Sequence, residues 1–159
     1  MTTLIEIFDA QFLKLHRRSF DFIKLVPPEK LYWQPRESEA LFPVNSCGEF
    51  ILRSAAAVEQ TFGGIMTRLW DDPFEWTLPE ALATNDLILN YLNETEETRS
   101  KGFAFFASDA DLRREIPAPE RLKSIFQILL ETIARAEHFQ GRAFAVFGTF
   151  SAAKLPKLF

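Results

Sequence analysis

Residues 46–69, SCGEFILRSAAAVEQTFGGIMTRL, decide how this chain folds. Ile51, Ala55, Val58, Phe62, Ile65 and Leu69 follow one another at alternating steps of four and three. That spacing lays them in one apolar stripe along a helix. Ser46 stands three residues before Glu49, the spacing at which a hydroxyl and a carboxylate each satisfy a free backbone amide of the first turn. At about 1.5 Å per residue the helix extends about 35 Å, long enough to be one full rod of a bundle.

The flanking sequence repeats the pattern. Upstream, Thr3 and Glu6 have the same capping spacing, and Ile5, Phe8, Phe12, Leu15 and Phe22 recur at helical intervals until Pro27-Pro28. A proline prevents a helix from continuing, so a first helix over Thr3–Leu25 is expected. Residues 27–45, PPEKLYWQPRESEALFPVN, carry four prolines and form a long first connection that covers one end of the core. Downstream, WDDPFEWTLP at 70–79 reads as a loop. A third helix is expected from Thr84 or Asn85 to Ala107, with Ile88, Leu92, Thr95, Gly102 and Phe106 along one side and ETEETRSK as a solvated face. A fourth is expected from Glu120 to Phe147, on the stripe Leu122, Ile125, Phe126, Leu129, Ile133 and Ala136, with Gly148 as its stop. Four amphipathic helices with no alternating strand pattern give an all-α, antiparallel four-helix bundle, and the 159 residues fit one domain.

Composition excludes several functional classes. Eighteen basic against 22 acidic residues leave a net charge of −4, without the basic footprint of a nucleic-acid-binding protein. The longest run without a charged residue is Ala143–Ala153, far below the roughly 20 apolar residues that span a bilayer. MTTLIEIFDAQF lacks the basic start of a secretory signal. The single cysteine, Cys47, makes no internal disulfide and fits a reducing, cytoplasmic setting. There is no phosphate-cradling glycine loop, no CxxC and no HExxH. Cys47 lies in the first turn of a helix, where the dipole lowers a thiol pKa. It is a candidate nucleophile there, or simply a small residue beside a cap.

The order of a first helix, LYWQP, the capped SCGEFILRSAAAVE helix, FASDADLRREIP and EHFQGRAFAVFG resembles the DinB/YfiT-like superfamily of four-helix bundles. The resemblance runs from about residue 5 to the Pro156 tail. It implies a metal held by one histidine on the second helix and two in an HxxxH-R-G-Q pattern on the fourth, serving thiol-dependent transferases, isomerases or hydrolases. In this chain Arg53 stands at the first of those positions, and Arg135 and Phe139 at the other two, with Gln140 and Arg142 replacing the motif's arginine and glutamine. Arginine stays protonated and phenylalanine offers no lone pair, so no metal and no cofactor are expected.

What replaces the metal has two readings. Arg53 and Arg135 each follow a glutamate by four residues, Glu49 and Glu131, so in one reading they are simply solvated or locally paired at the surface. Alternatively both guanidiniums face the old metal pocket and take a small anionic ligand, with Glu49, His138 and Phe139 around it. A one-residue shift of register would put Ser54 there instead of Arg53. A ligand-binding or protein-interaction domain follows. The alternative is a thiol-dependent transferase or hydrolase with an altered, metal-free site built from Cys47, His138 and the arginines. Seventeen phenylalanines exceed what a four-helix core readily hides, and Phe103-Phe105-Phe106 and Phe144-Phe147-Phe150 are the expected exposed clusters of a homodimer.

Overall fold

The computed structural model describes residues 1–35 and 45–159 and contains four long helices. They are α1 (Leu4–Leu25), α2 (Cys47–Thr67), α3 (Asn85–Phe103) and α4 (Ile125–Gly148). Both expected capping boxes form. The Glu6 amide donates to Thr3 Oγ1 at 3.1 Å, the Glu49 amide donates to Ser46 Oγ at 3.2 Å, and each glutamate accepts from its cap's amide. No helix among the described residues is long and apolar enough to cross a membrane.

The all-α four-helix bundle is as expected, and its chain directions are more specific than a simple antiparallel array. The α1 N-terminus lies beside Asp109, which follows α3. The start of α3 meets the end of α1, where Asn85 Nδ2 donates to the Ile23 and Val26 carbonyls. The start of α2 meets the end of α4 through Cys47 and Ala143. The helices therefore run up, down, down, up. Contacts close a ring in the order α1, α3, α2, α4, with the α2/α4 face the most extensive. The α1/α3 and α2/α4 pairs are antiparallel, whereas α2/α3 and α1/α4 run parallel.

The termini of α3 and α4 differ from the periodicity. α3 ends at Phe103, four residues early, and α4 begins at Ile125, five residues late. Between them Glu115–Pro117 (β1) and Leu122–Ser124 (β2) pair as a small antiparallel hairpin, with Ile116 opposite Lys123. Pro117 and Pro119 cannot donate amides to a helix, and Ser124 Oγ accepts from the Gln127 amide to start α4. Three 3₁₀ turns, at Pro28–Lys30, Pro73–Trp76 and Asp111–Arg113, punctuate the connections.

The core has two apolar halves. One gathers Phe8, Phe12, Phe62, Phe103 and Phe106, the other Phe22, Phe50 and Phe147. Between them lies a polar waist. Gln140 Nε2 donates to the Leu15 carbonyl at 2.9 Å and to Ser19 Oγ at 2.8 Å, and Ser54 Oγ donates to the Ala136 carbonyl at 2.8 Å. Flanking it, Arg18 pairs with Glu137, and Arg99 with Asp9 and Glu96.

The expected exposed phenylalanine clusters are largely internal. Phe103, Phe106 and Phe147 are buried, and Phe144 and Phe150 are half-buried. Phe150 packs edge-on against Trp33 and Phe147, and Leu155 of the tail lies against the same core. Only Phe105 of the six is exposed, at 63%. Trp33 and the tail cover Phe147, and Phe12 and Phe62 cover Phe103, so most of the surface that a dimer was expected to use is internal.

Two glycines contrast in what they permit. A Cβ on Gly102 would stand 2.4 Å from the Phe62 ring, whereas one on Gly141 would meet nothing within 4 Å. Gly102→Ala should therefore destabilise the fold by about 1–3 kcal/mol through overpacking, despite the better helix propensity of alanine. Gly141→Ala should stabilise it by about 0.5–1 kcal/mol. Urea unfolding of the two variants, followed by circular dichroism, checks both signs.

Candidate functional site

Because α2 and α3 run parallel, the chain must travel back along the bundle between Arg68 and Thr84. It leaves α2 through Arg68 at a left-handed φ of 64°. The Gln60 side-chain amide then donates to the Trp70 carbonyl at 3.0 Å and Trp70 Nε1 to the Pro117 carbonyl at 3.2 Å, which pins the exit. Asp72 Oδ1 caps the 3₁₀ turn by accepting from the Phe74 amide, and Thr77 Oγ1 donates to the Pro73 carbonyl at 2.8 Å. The connection so held forms the outer wall of a cavity whose floor is the α2/α4 seam.

That cavity has a volume of about 230 Å³. From α2 it is lined by Glu49, Leu52, Arg53, Ala56, Ala57 and Gln60, from α4 by Arg135 and Phe139, and from the connection by Asp72, Phe74, Thr77 and Pro79. A second hollow, about 400 Å³, adjoins it and shares Gln60 and Arg135. Four of the five residues expected at a ligand site thus line one space. His138, the fifth, is exposed and lies edge-on to Phe139, outside the cavity lining.

The local ion pairs expected for the two arginines do not form, and both side chains are exposed. Glu49 Oε2 already accepts from the Ser46 amide, Ser46 Oγ and Gln34 Nε2. Glu131 is taken by Lys123 at 2.7 Å and Gln127 at 2.7 Å, and these bonds hold its carboxyl below the usual range. Neither Glu49–Arg53 nor Glu131–Arg135 pairs, and among the described residues neither arginine forms an ion pair. The Arg53 guanidinium lies 6.0 Å from the Phe139 ring centroid, and Arg135 Nη2 donates to Gln60 Oε1 at 3.4 Å. Ser54 points the other way, buried and bonded to α4, so Arg53 is the residue at the cavity.

The remaining chemistry-bearing groups lie elsewhere. The Cys47 thiol is fully buried, donates to the Ala143 carbonyl at 3.6 Å, and is pushed by burial up to about 12. A thiol that stays protonated is no nucleophile, and this corrects its candidacy. The Tyr91 hydroxyl donates to Glu59 Oε2 at 2.5 Å across α2 and α3, and burial holds the Glu59 carboxyl above its ordinary range. His16 is half-buried on α1, where burial lowers its pKa. Among the described residues no three histidine, cysteine, aspartate or glutamate side chains converge as a metal site. Asp72, Phe74, Thr77, Pro79 and Gln60 were not anticipated, because nothing in their local pattern says that the loop runs back over α2.

Native protein at pH 8 should release no thionitrobenzoate from Ellman's reagent, and one equivalent once denatured. Rapid reaction of the folded protein would return Cys47 to the list of nucleophiles. Comparison with known proteins returns no match: no family model, no curated protein and no solved structure matches this chain, and the site is read from its own geometry alone.

Proposed function

We propose that this chain is a cytoplasmic, DinB/YfiT-like bundle in which an arginine-lined pocket has taken the place of the family's metal, and that it binds a small amphipathic anion. One observation carries the reading. Arg53 and Arg135, each free of an ion pair among the described residues, line the same 230 Å³ cavity beside Phe139, Phe74 and Leu52. Guanidinium presents a planar fork of donors that matches a carboxylate. Apolar walls with a few convergent polar groups are the ordinary make-up of a small-molecule site.

The alternative, a thiol-dependent transferase or hydrolase, rested on Cys47 with His138 and the arginines. With Cys47 in the core and His138 off the cavity, that reading keeps only the arginines. Binding 3-phenylpropionate, an aromatic carboxylate, tests the proposal by calorimetry. Arg53→Gln and Arg135→Gln should each weaken it about tenfold or more, the value of a hydrogen bond to a charged group. Equal affinity in both variants would end the arginine reading.

The homodimer is proposed on a different surface from the one first expected. Leu4 and Ile7 on α1 and Phe126 and Leu130 on α4 are all exposed, at 38–53%. Phe126 lies 5.4 Å from Phe8, which places these side chains along the α1/α4 edge, away from the cavity. Light scattering at micromolar concentration should give twice the 18.3 kDa chain mass, reduced to one chain by Leu130→Glu. A mass near 18.3 kDa at all concentrations would refute it.

A further inference from the structure

The cavity is not simply cationic. Glu49 and Asp72 stand in the same lining as Arg53 and Arg135, so two negative charges face it with two positive ones. Each carboxylate uses one oxygen for a local turn. Glu49 Oε2 serves the α2 cap, and Asp72 Oδ1 serves the turn before Phe74. Among the described residues Glu49 Oε1 and Asp72 Oδ2 accept no hydrogen bond. Phe139 and Leu52 supply apolar contact on the helix side and Phe74 on the loop side.

From this pattern we infer that the ligand is a zwitterion, an α-amino acid with an aromatic or branched side chain. The inference rests on the anion-site reading above and narrows it. The arginines take the α-carboxylate in fork fashion. One free carboxylate oxygen, Asp72 Oδ2 or Glu49 Oε1, accepts from the α-ammonium. The side chain lies between the phenylalanines. A zwitterion offers a partner to the carboxylate side of the lining as well as to the arginines, whereas a simple anion leaves the carboxylates unmet. A volume of about 230 Å³ accommodates an amino acid.

L-Phenylalanine and 3-phenylpropionate share ring, chain and carboxylate and differ in the ammonium. Calorimetry on the full chain should show L-phenylalanine about tenfold tighter. The double variant Asp72→Asn/Glu49→Gln keeps both turn caps, because Asn and Gln serve those positions. It should bring L-phenylalanine down to the affinity of 3-phenylpropionate without changing the melting temperature. Arg53→Gln should weaken both ligands. If 3-phenylpropionate or inorganic phosphate binds as tightly as L-phenylalanine, the zwitterion is wrong and the anion site stands. If neither aromatic ligand binds, both readings fall.

Discussion

The parallel course of α2 and α3 is the constraint from which the rest of this structure follows. α2 has 21 residues and rises about 30 Å, and a neighbour in the same direction can begin only after the chain has covered that distance again. The return segment has backbone polar groups that need partners. Gln60 meets the Trp70 carbonyl and Thr77 meets the Pro73 carbonyl, while the Trp70 indole ties the segment to the hairpin. A tight two-residue turn would have left the α2/α4 seam open to solvent. A connection of this length builds a wall on it instead, and the cavity is the space between them.

The polar waist supplies the second constraint. Arg18 and Arg99 are both under 8% exposed, and a buried charge without its partner costs about 3–5 kcal/mol. Each is met by carboxylates on another helix, Arg18 by Glu137 of α4 and Arg99 by Asp9 of α1. Gln140 ties α4 to the α1 backbone and Ser54 ties α2 to the α4 backbone. Apolar stripes alone permit sliding by a turn. These bonds do not, because any other register strands an arginine or an amide in the core. The α2/α4 register is the one that sets Arg53 against Phe139 and Arg135 against Gln60.

Helix existence and the starts of α1, α2 and α3 were legible because they depend on neighbours three or four residues away. Thr3–Glu6, Ser46–Glu49 and the periodic stripes are local facts. Helix ends near residues 103 and 125 were not, since β1 and β2 form only when two separated segments meet. The phenylalanine excess misled for a related reason. Counting rings says how much apolar surface exists, but not that the tail through Leu155 returns to cover Phe147 and Phe150. At the site, α2 and α4 contributed residues that a helical register could nominate, namely Arg53, Arg135, Phe139 and Glu49. Asp72 and Phe74 depend on where a loop lies in space, and Glu49's engagement by its own cap outweighed the i,i+4 rule that paired it with Arg53.

Arginine and histidine differ in what they let a cavity do. Imidazole titrates near neutrality and can carry a proton or a metal. Guanidinium remains protonated and does neither. Both histidines of the chain lie outside the lining, the Cys47 thiol is sealed in the core, and the raised Glu59 carboxyl is held by Tyr91 of α3. The titratable groups left at the cavity are Glu49 and Asp72, whose occupied oxygens already serve as caps. A carboxylate fixed in that way can orient a cationic group by charge. Two arginines and two carboxylates thus line one cavity as groups of fixed and opposite charge.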